Sequence, residues 1–134
     1  QAEHFINAVG EDLSGRLIPA VEVRLRGLYR LLPPDYYEAA DNLADFCDRI
    51  EKQYGVRPVI YCTERTYKNI VASDSRFNKD KIWYESLFSK PDEDMDWTFW
   101  TYTNRVKFSF YESGEYLHMT VFNGSEDDFK KLII

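Results

Sequence analysis

Apolar positions along this chain recur with two different periods, and the alternation between them predicts an order of helices and strands. Ala40, Leu43, Cys47, Ile50 and Tyr54 fall on one stripe at helical spacing, which predicts a helix over 35–54. Asp35 with Glu38 three residues later resembles a capping box at its start. Pro33-Pro34 disfavours helix upstream, and Gly55 ends it. Gln1 to Val9 also reads as helix, stopped by Gly10. Short continuous apolar runs read instead as buried strands: Leu17 to Val23, Val56 to Cys62, Ile82 to Tyr84 and Trp97 to Tyr102. Thr63 is placed to cap a short helix through Ala72, and Ser125 with Asp128 to cap a last one that includes Phe129, Leu132 and Ile133. Val106 to Tyr111 and Tyr116 to Phe122 flank Glu112-Ser113-Gly114-Glu115 and read as a hairpin or long turn. Arg24 to Leu32 forms a basic loop, and Lys90 to Asp96 an acidic one.

Helix alternating with strand in the first half argues a parallel sheet with crossover helices. The loss of helices towards the end argues an irregular barrel end. No internal repeat or low-complexity segment divides the chain, so residues 1–134 are expected to form a single domain. Because Gln1 already lies within a helical pattern, the chain is expected to lack a segment N-terminal to it.

Composition narrows the function classes. A hydrophobic share of 44% and a charged share of 30% fit a globular domain. The net charge of −6 argues against a nucleic-acid partner, which needs a basic surface. No apolar run is long enough to span a membrane. Cys47 and Cys62 follow no metal-binding spacing and read as small buried hydrophobes, and His4 and His118, the only histidines, give no support to a two-histidine metal site. No metal or cofactor is therefore expected. Aromatic residues make up 16% of the chain, which suits either core packing or a cleft in which sugar rings stack on flat side chains.

Four stretches, in order, resemble glycoside hydrolase family 25, the lysozyme-type muramidases. They are Gln1 to Val9 followed by Leu17-Ile18-Pro19-Ala20-Val21-Glu22-Val23-Arg24; Tyr54-Gly55-Val56-Arg57-Pro58-Val59-Ile60-Tyr61-Cys62; Ile82-Trp83 to Pro91 with Trp97-Thr98-Phe99-Trp100-Thr101-Tyr102; and Val121-Phe122-Asn123-Gly124-Ser125. The resemblance implies an α/β fold, a partial TIM-like (β/α) barrel of mostly parallel strands matching the C-terminal part of the family domain. It also implies an extracellular or cell-envelope setting and peptidoglycan, or a related glycan, as partner, cut after N-acetylmuramic acid. The family's opening strand, with an Asp-Val-Ser-like motif, and the next two strands have no counterpart here. A barrel lacking strands would leave open sheet edges, from which self-association is expected.

The same resemblance places the site. Where the family has Pro-Val-Leu-Asp-Val-Glu, the register that Pro19 favours puts Glu22 at the aspartate and Arg24 at the glutamate, a register shifted by two puts Glu22 at the glutamate and Ala20 at the aspartate, and His118 falls at a later family aspartate. Glycoside hydrolysis generally needs two carboxyl groups, and an arginine cannot serve as the general acid. Catalysis is therefore expected to be impaired. Glu22 reads either as a residual polar site residue or as a buried carboxylate paired with Arg24. His118 reads as a general base or as a solvated strand histidine. Tyr61, Trp83, Trp100 and Tyr102 are the candidate sugar platform, with barrel-core packing as the alternative. Arg24, Arg26 and Arg30 either meet an anionic lactyl group or sit in a solvated loop.

Overall fold

The computed structural model describes residues 1–30, 32, 34–109 and 115–134, with the side chains of residues 29 and 30 left aside. The elements are α1 (Ala2–Val9), β1 (Ala20–Val23), α2 (Tyr36–Tyr54), β2 (Val59–Thr63), α3 (Glu64–Thr66), β3 (Ile82–Glu85), β4 (Phe99–Val106), β5 (Leu117–Phe122) and α4 (Glu126–Lys130). The five strands form one sheet in the order β1-β2-β3-β4-β5. The first four run parallel, and β5 returns antiparallel to β4. This is the mixed α/β, mostly parallel arrangement that the alternating pattern predicts.

The helix predicted from its stripe forms over Tyr36–Tyr54. Asp35 caps it by accepting hydrogen bonds from the backbone N–H groups of Tyr37 and Glu38, at 2.9 and 3.1 Å. Gly55 closes it with φ of 74°, a left-handed conformation that glycine adopts without steric cost. Ala40, Leu43, Ala44, Cys47 and Ile50 bury that stripe against the sheet, where they meet Ile60, Cys62, Ile82 and Tyr84. α1 packs on the outer side of α2 through Phe5, whose ring meets those of Phe46 and Tyr54 edge-on at 6.2 and 6.5 Å.

Several expected boundaries move. Leu17 and Ile18 do not extend β1. Leu17 bridges to Ile133, and the Ile18 N–H donates to the Leu132 carbonyl at 2.8 Å, so the C-terminal tail takes up this backbone and the strand begins after Pro19. The segment after Thr63 has its capping box but makes only one α turn before passing into a π turn over Tyr67–Val71. The strand expected to end at Tyr102 instead runs on to Val106 as β4, with register shifts against β5 after Thr101 and Thr103, while residues 107–109 of the next expected strand are not strand and residues 110 and 111 lie outside the described residues. The expected turn at Glu112-Ser113-Gly114 lies outside the described residues.

Cys47 and Cys62 are free thiols, 0% and 1% exposed, and burial pushes each up to about 12. A disulfide-exchange reagent needs a thiolate and access, and native burial removes both. At pH 8 the folded chain should therefore react negligibly over minutes, and both thiols should react on addition of denaturant. Fast labelling of the native protein by a chromogenic disulfide would contradict this packing. Among the described residues, no helix is long and apolar enough to cross a membrane.

Candidate functional site

In a sheet, residues paired across strands share a face and alternate positions change face. The register makes Glu22, Tyr61, Trp83, Phe99 and Phe122 one continuous row on the face away from α2. The rings stand in contact along this row. Tyr61 and Trp83 are 5.1 Å apart, Trp83 and Phe99 5.2 Å, and Phe99 and Phe122 5.4 Å. One row further towards the C-terminal ends of the parallel strands lie Thr63, Glu85, Thr101 and Thr120. Buried Thr101 accepts from Trp83 Nε1 at 2.9 Å and shares a hydrogen bond with Thr120 at 2.7 Å, which fixes the indole in the row.

Arg24, two residues past Glu22 and therefore on the same face, joins two carboxylates. Its Nε donates to Glu22, and its Nη2 donates to Glu85 at 3.4 Å. The Tyr61 hydroxyl donates to the same Glu85 oxygen. The side chain of Glu85 is 12% exposed and that of Glu22 40%, so the arginine bridges an inner carboxylate and an outer one. Partial burial works against the Arg24 charge, but the hydrogen bond to Glu22 and the fields of Glu22 and Glu85 outweigh it and hold the guanidinium above its ordinary range. Tyr61 is likewise raised, first by burial and then by its hydrogen bond to Glu85 and that group's charge. The phenol therefore remains a hydrogen-bond donor.

Ala20, Glu22, Arg24, Tyr61, Trp83 and His118 line one concavity of about 290 Å³. Five of the residues singled out from sequence, Glu22, Arg24, Tyr61, Trp83 and His118, thus come together, with exposed His118 arriving from β5. Glu22 is paired with Arg24 but is not buried, which corrects the reading of it as a buried carboxylate. Trp100 and Tyr102 are a correction. They do share a face, with rings 5.7 Å apart, but Trp100 pairs with Tyr84 and packs on the helix-side core. Its Nε1 donates to the Ser86 carbonyl at 3.0 Å. Tyr102 follows it on that side, with 39% exposure, and the sheet separates both from Glu22. Glu85 escaped the sequence reading because the strand was ended at Tyr84. Alternation carried one residue further puts position 85 on the face of Trp83. Among the described residues, no group of three or more His, Cys, Asp or Glu side chains is placed to hold a metal ion.

The sequence model of glycosyl hydrolases family 25 matches residues 1–109. The fold is similar to that of a family 25 glycosyl hydrolase from Bacillus anthracis, with a TM-score of 0.83 and 28% identity over 99% of this chain and 61% of that one. A family GH25 lysozyme from Aspergillus fumigatus shares the fold at a TM-score of 0.73 and 19% identity, over 98% of this chain and 64% of its own. A bacterial lysozyme from Streptomyces coelicolor does so at 0.72 and 23% identity, again over 98% and 64%. The chain therefore spans less than two thirds of the length of these structures. A comparison with curated proteins finds no match.

Proposed function

The chain belongs to glycosyl hydrolases family 25, and from that premise we propose that its aromatic face holds a peptidoglycan-type glycan without the family's normal capacity to cleave it. The observation that carries this reading is the position of Arg24. Its guanidinium stands among the site carboxylates and engages both Glu22 and Glu85. A glycosidase uses one carboxyl group to protonate the leaving oxygen and the other to support or attack the anomeric carbon. Arginine stays protonated throughout the working range and cannot take the first role. A cation between the two carboxylates also neutralises the field that would stabilise an oxocarbenium-like transition state.

The binding half rests on Tyr61 and Trp83, two rings in contact at the floor of the concavity, with the indole fixed by Thr101. A rigid aromatic floor with polar groups at its rim suits a sugar, which presents apolar C–H faces and hydroxyl edges. Glu22, Arg24 and His118 supply that rim.

Retention on insoluble peptidoglycan tests the reading. Trp83→Ala should weaken retention roughly 10- to 100-fold, the equivalent of about 1.5–3 kcal/mol of lost aromatic burial. Trp83→Phe, which keeps a ring, should lose less. Tyr102→Ala, on the other side of the sheet, should bind as the unmodified chain does. Equal retention of a folded Trp83→Ala protein, or a loss with Tyr102→Ala alone, would contradict the placement of the glycan on this face.

A further inference from the structure

Alternate positions of β5 bring His118, Thr120 and Phe122 to the face that carries the aromatic floor. His118 lines the concavity, and Phe122 closes the row of rings. Thr120 stands between them, exposed, and pairs in register with Thr101. Its hydroxyl is joined to Trp83 through one buried atom, the Thr101 hydroxyl oxygen.

The direction of these two hydrogen bonds follows from the proton count. A threonine hydroxyl has one proton to donate and two lone pairs to accept with. The indole N–H of Trp83 takes one lone pair of Thr101, at 2.9 Å. Thr101 is only 1% exposed, so its own proton has to be placed inside the protein, where an unpaired donor is costly. Two oxygens could receive it. The Tyr61 phenol responds to Thr101 only after burial and the influence of Glu85 and Arg24. Thr120 Oγ1 lies at 2.7 Å, a short bond for two hydroxyls. The Thr101 proton therefore goes to Thr120, and the chain of donors runs from Trp83 to Thr101 to Thr120.

Thr120 accepts in that chain, which leaves its own proton free. Among the described residues its hydroxyl meets no second hydrogen-bond partner. The buried relay thus presents an outward-facing donor on the flank of the aromatic floor opposite β1. An apolar floor holds a sugar ring without orienting it, and orientation needs a few placed polar groups. Glu22 and Arg24 supply them from β1. We infer that Thr120 supplies one from β5, as a further glycan contact that donates to an acceptor oxygen of a sugar seated on Trp83. The inference rests on the glycan reading above and adds to it a contact residue on the opposite flank.

Retention on insoluble peptidoglycan tests the contact. Thr120→Val keeps the branched shape that suits a strand and deletes the hydroxyl. It should weaken retention roughly 3- to 10-fold, the net worth of one hydrogen bond. Thr120→Ser keeps the donor and should stay within about twofold of the unmodified chain. Both changes fall at an exposed position. A residue that merely propped the indole would also lose retention as valine, so Thr120→Val is repeated in a Trp83→Phe chain, which has no indole N–H to hold. A direct contact should cost the same factor there. Unchanged retention of Thr120→Val, an equal loss in Thr120→Ser, or a loss that disappears in the Trp83→Phe chain overturns the contact and leaves the glycan reading standing. Failure of the unmodified chain to be retained overturns both.

Discussion

Arg57→Ala is expected to cost the fold about 3 to 5 kcal/mol, the range for removing one partner from a buried ion pair. The Asp80 side chain is only 2% exposed. Arg57 grips it with two parallel hydrogen bonds, Nε to Oδ1 at 2.6 Å and Nη2 to Oδ2 at 3.1 Å. The third nitrogen reaches back to α2, donating to Asp48 at 2.7 Å and to Glu51 at 3.1 Å. One side chain thus ties the entry of β2 to the last turns of α2 and to the loop before β3. The hydrogen bonds it donates to Asp80 outweigh partial burial and hold the guanidinium far above its ordinary range. Truncation would leave the Asp80 carboxylate without its main partner in a site that excludes water. Thermal unfolding should show a fall in Tm of roughly 10 to 20 °C for a domain of this size. The paired change Arg57→Met with Asp80→Leu should recover most of the loss, because it removes the carboxylate along with the cation. A fall of only a degree or two in the single variant would mean that Asp80 is satisfied by water instead.

These two residues show how unevenly the sequence reports the structure. Arg57 sits within the stretch Tyr54 to Cys62 that carries the family resemblance, yet nothing local ties it to Asp80. The pair closes only when β2 and β3 lie side by side. By contrast α2 is legible almost to the residue. Its stripe, its Asp35 cap and its Gly55 stop are all local signals acting within one turn of each other. Strands are legible as runs but less so at their ends. Leu17 and Ile18 look like strand because they are apolar, but their backbone partners come from the far C-terminus. Thr103, Asn104 and Arg105 look like a break because they are polar, but an antiparallel partner and register shifts keep β4 continuous through them.

The site follows the same division. Glu22, Arg24, Tyr61 and Trp83 were legible because the family resemblance runs through their strands, and alternation keeps Glu22 and Arg24 on one face. Alternation does not say which face of one strand matches which face of the next, so the sequence leaves Trp100 and Tyr102 open between the sugar platform and the core. The register Tyr84 to Trp100 turns that pair towards the helices. Glu85 was lost to an end effect of one residue. Its recovery changes the chemistry, because the site has two carboxylates on one face and an arginine between them, where the sequence showed one carboxylate alone.

The second large effect concerns turnover. A positioned acid or base commonly contributes 10²- to 10⁴-fold to a rate, and a group that cannot release its proton contributes none of it. With the Arg24 guanidinium on both carboxylates, bond cleavage should remain at the level of a protein-free blank. Glu22→Gln should therefore leave the rate where it is, since it removes a carboxylate that is already compensated. The most direct measurement is the turbidity of a cell-wall peptidoglycan suspension, followed with the purified chain and with Glu22→Gln, on preparations first shown to sediment with the same material. Sedimentation with the glycan and turbidity indistinguishable from the blank are expected for both proteins. Robust clearing by the unmodified chain that disappears in Glu22→Gln would contradict this.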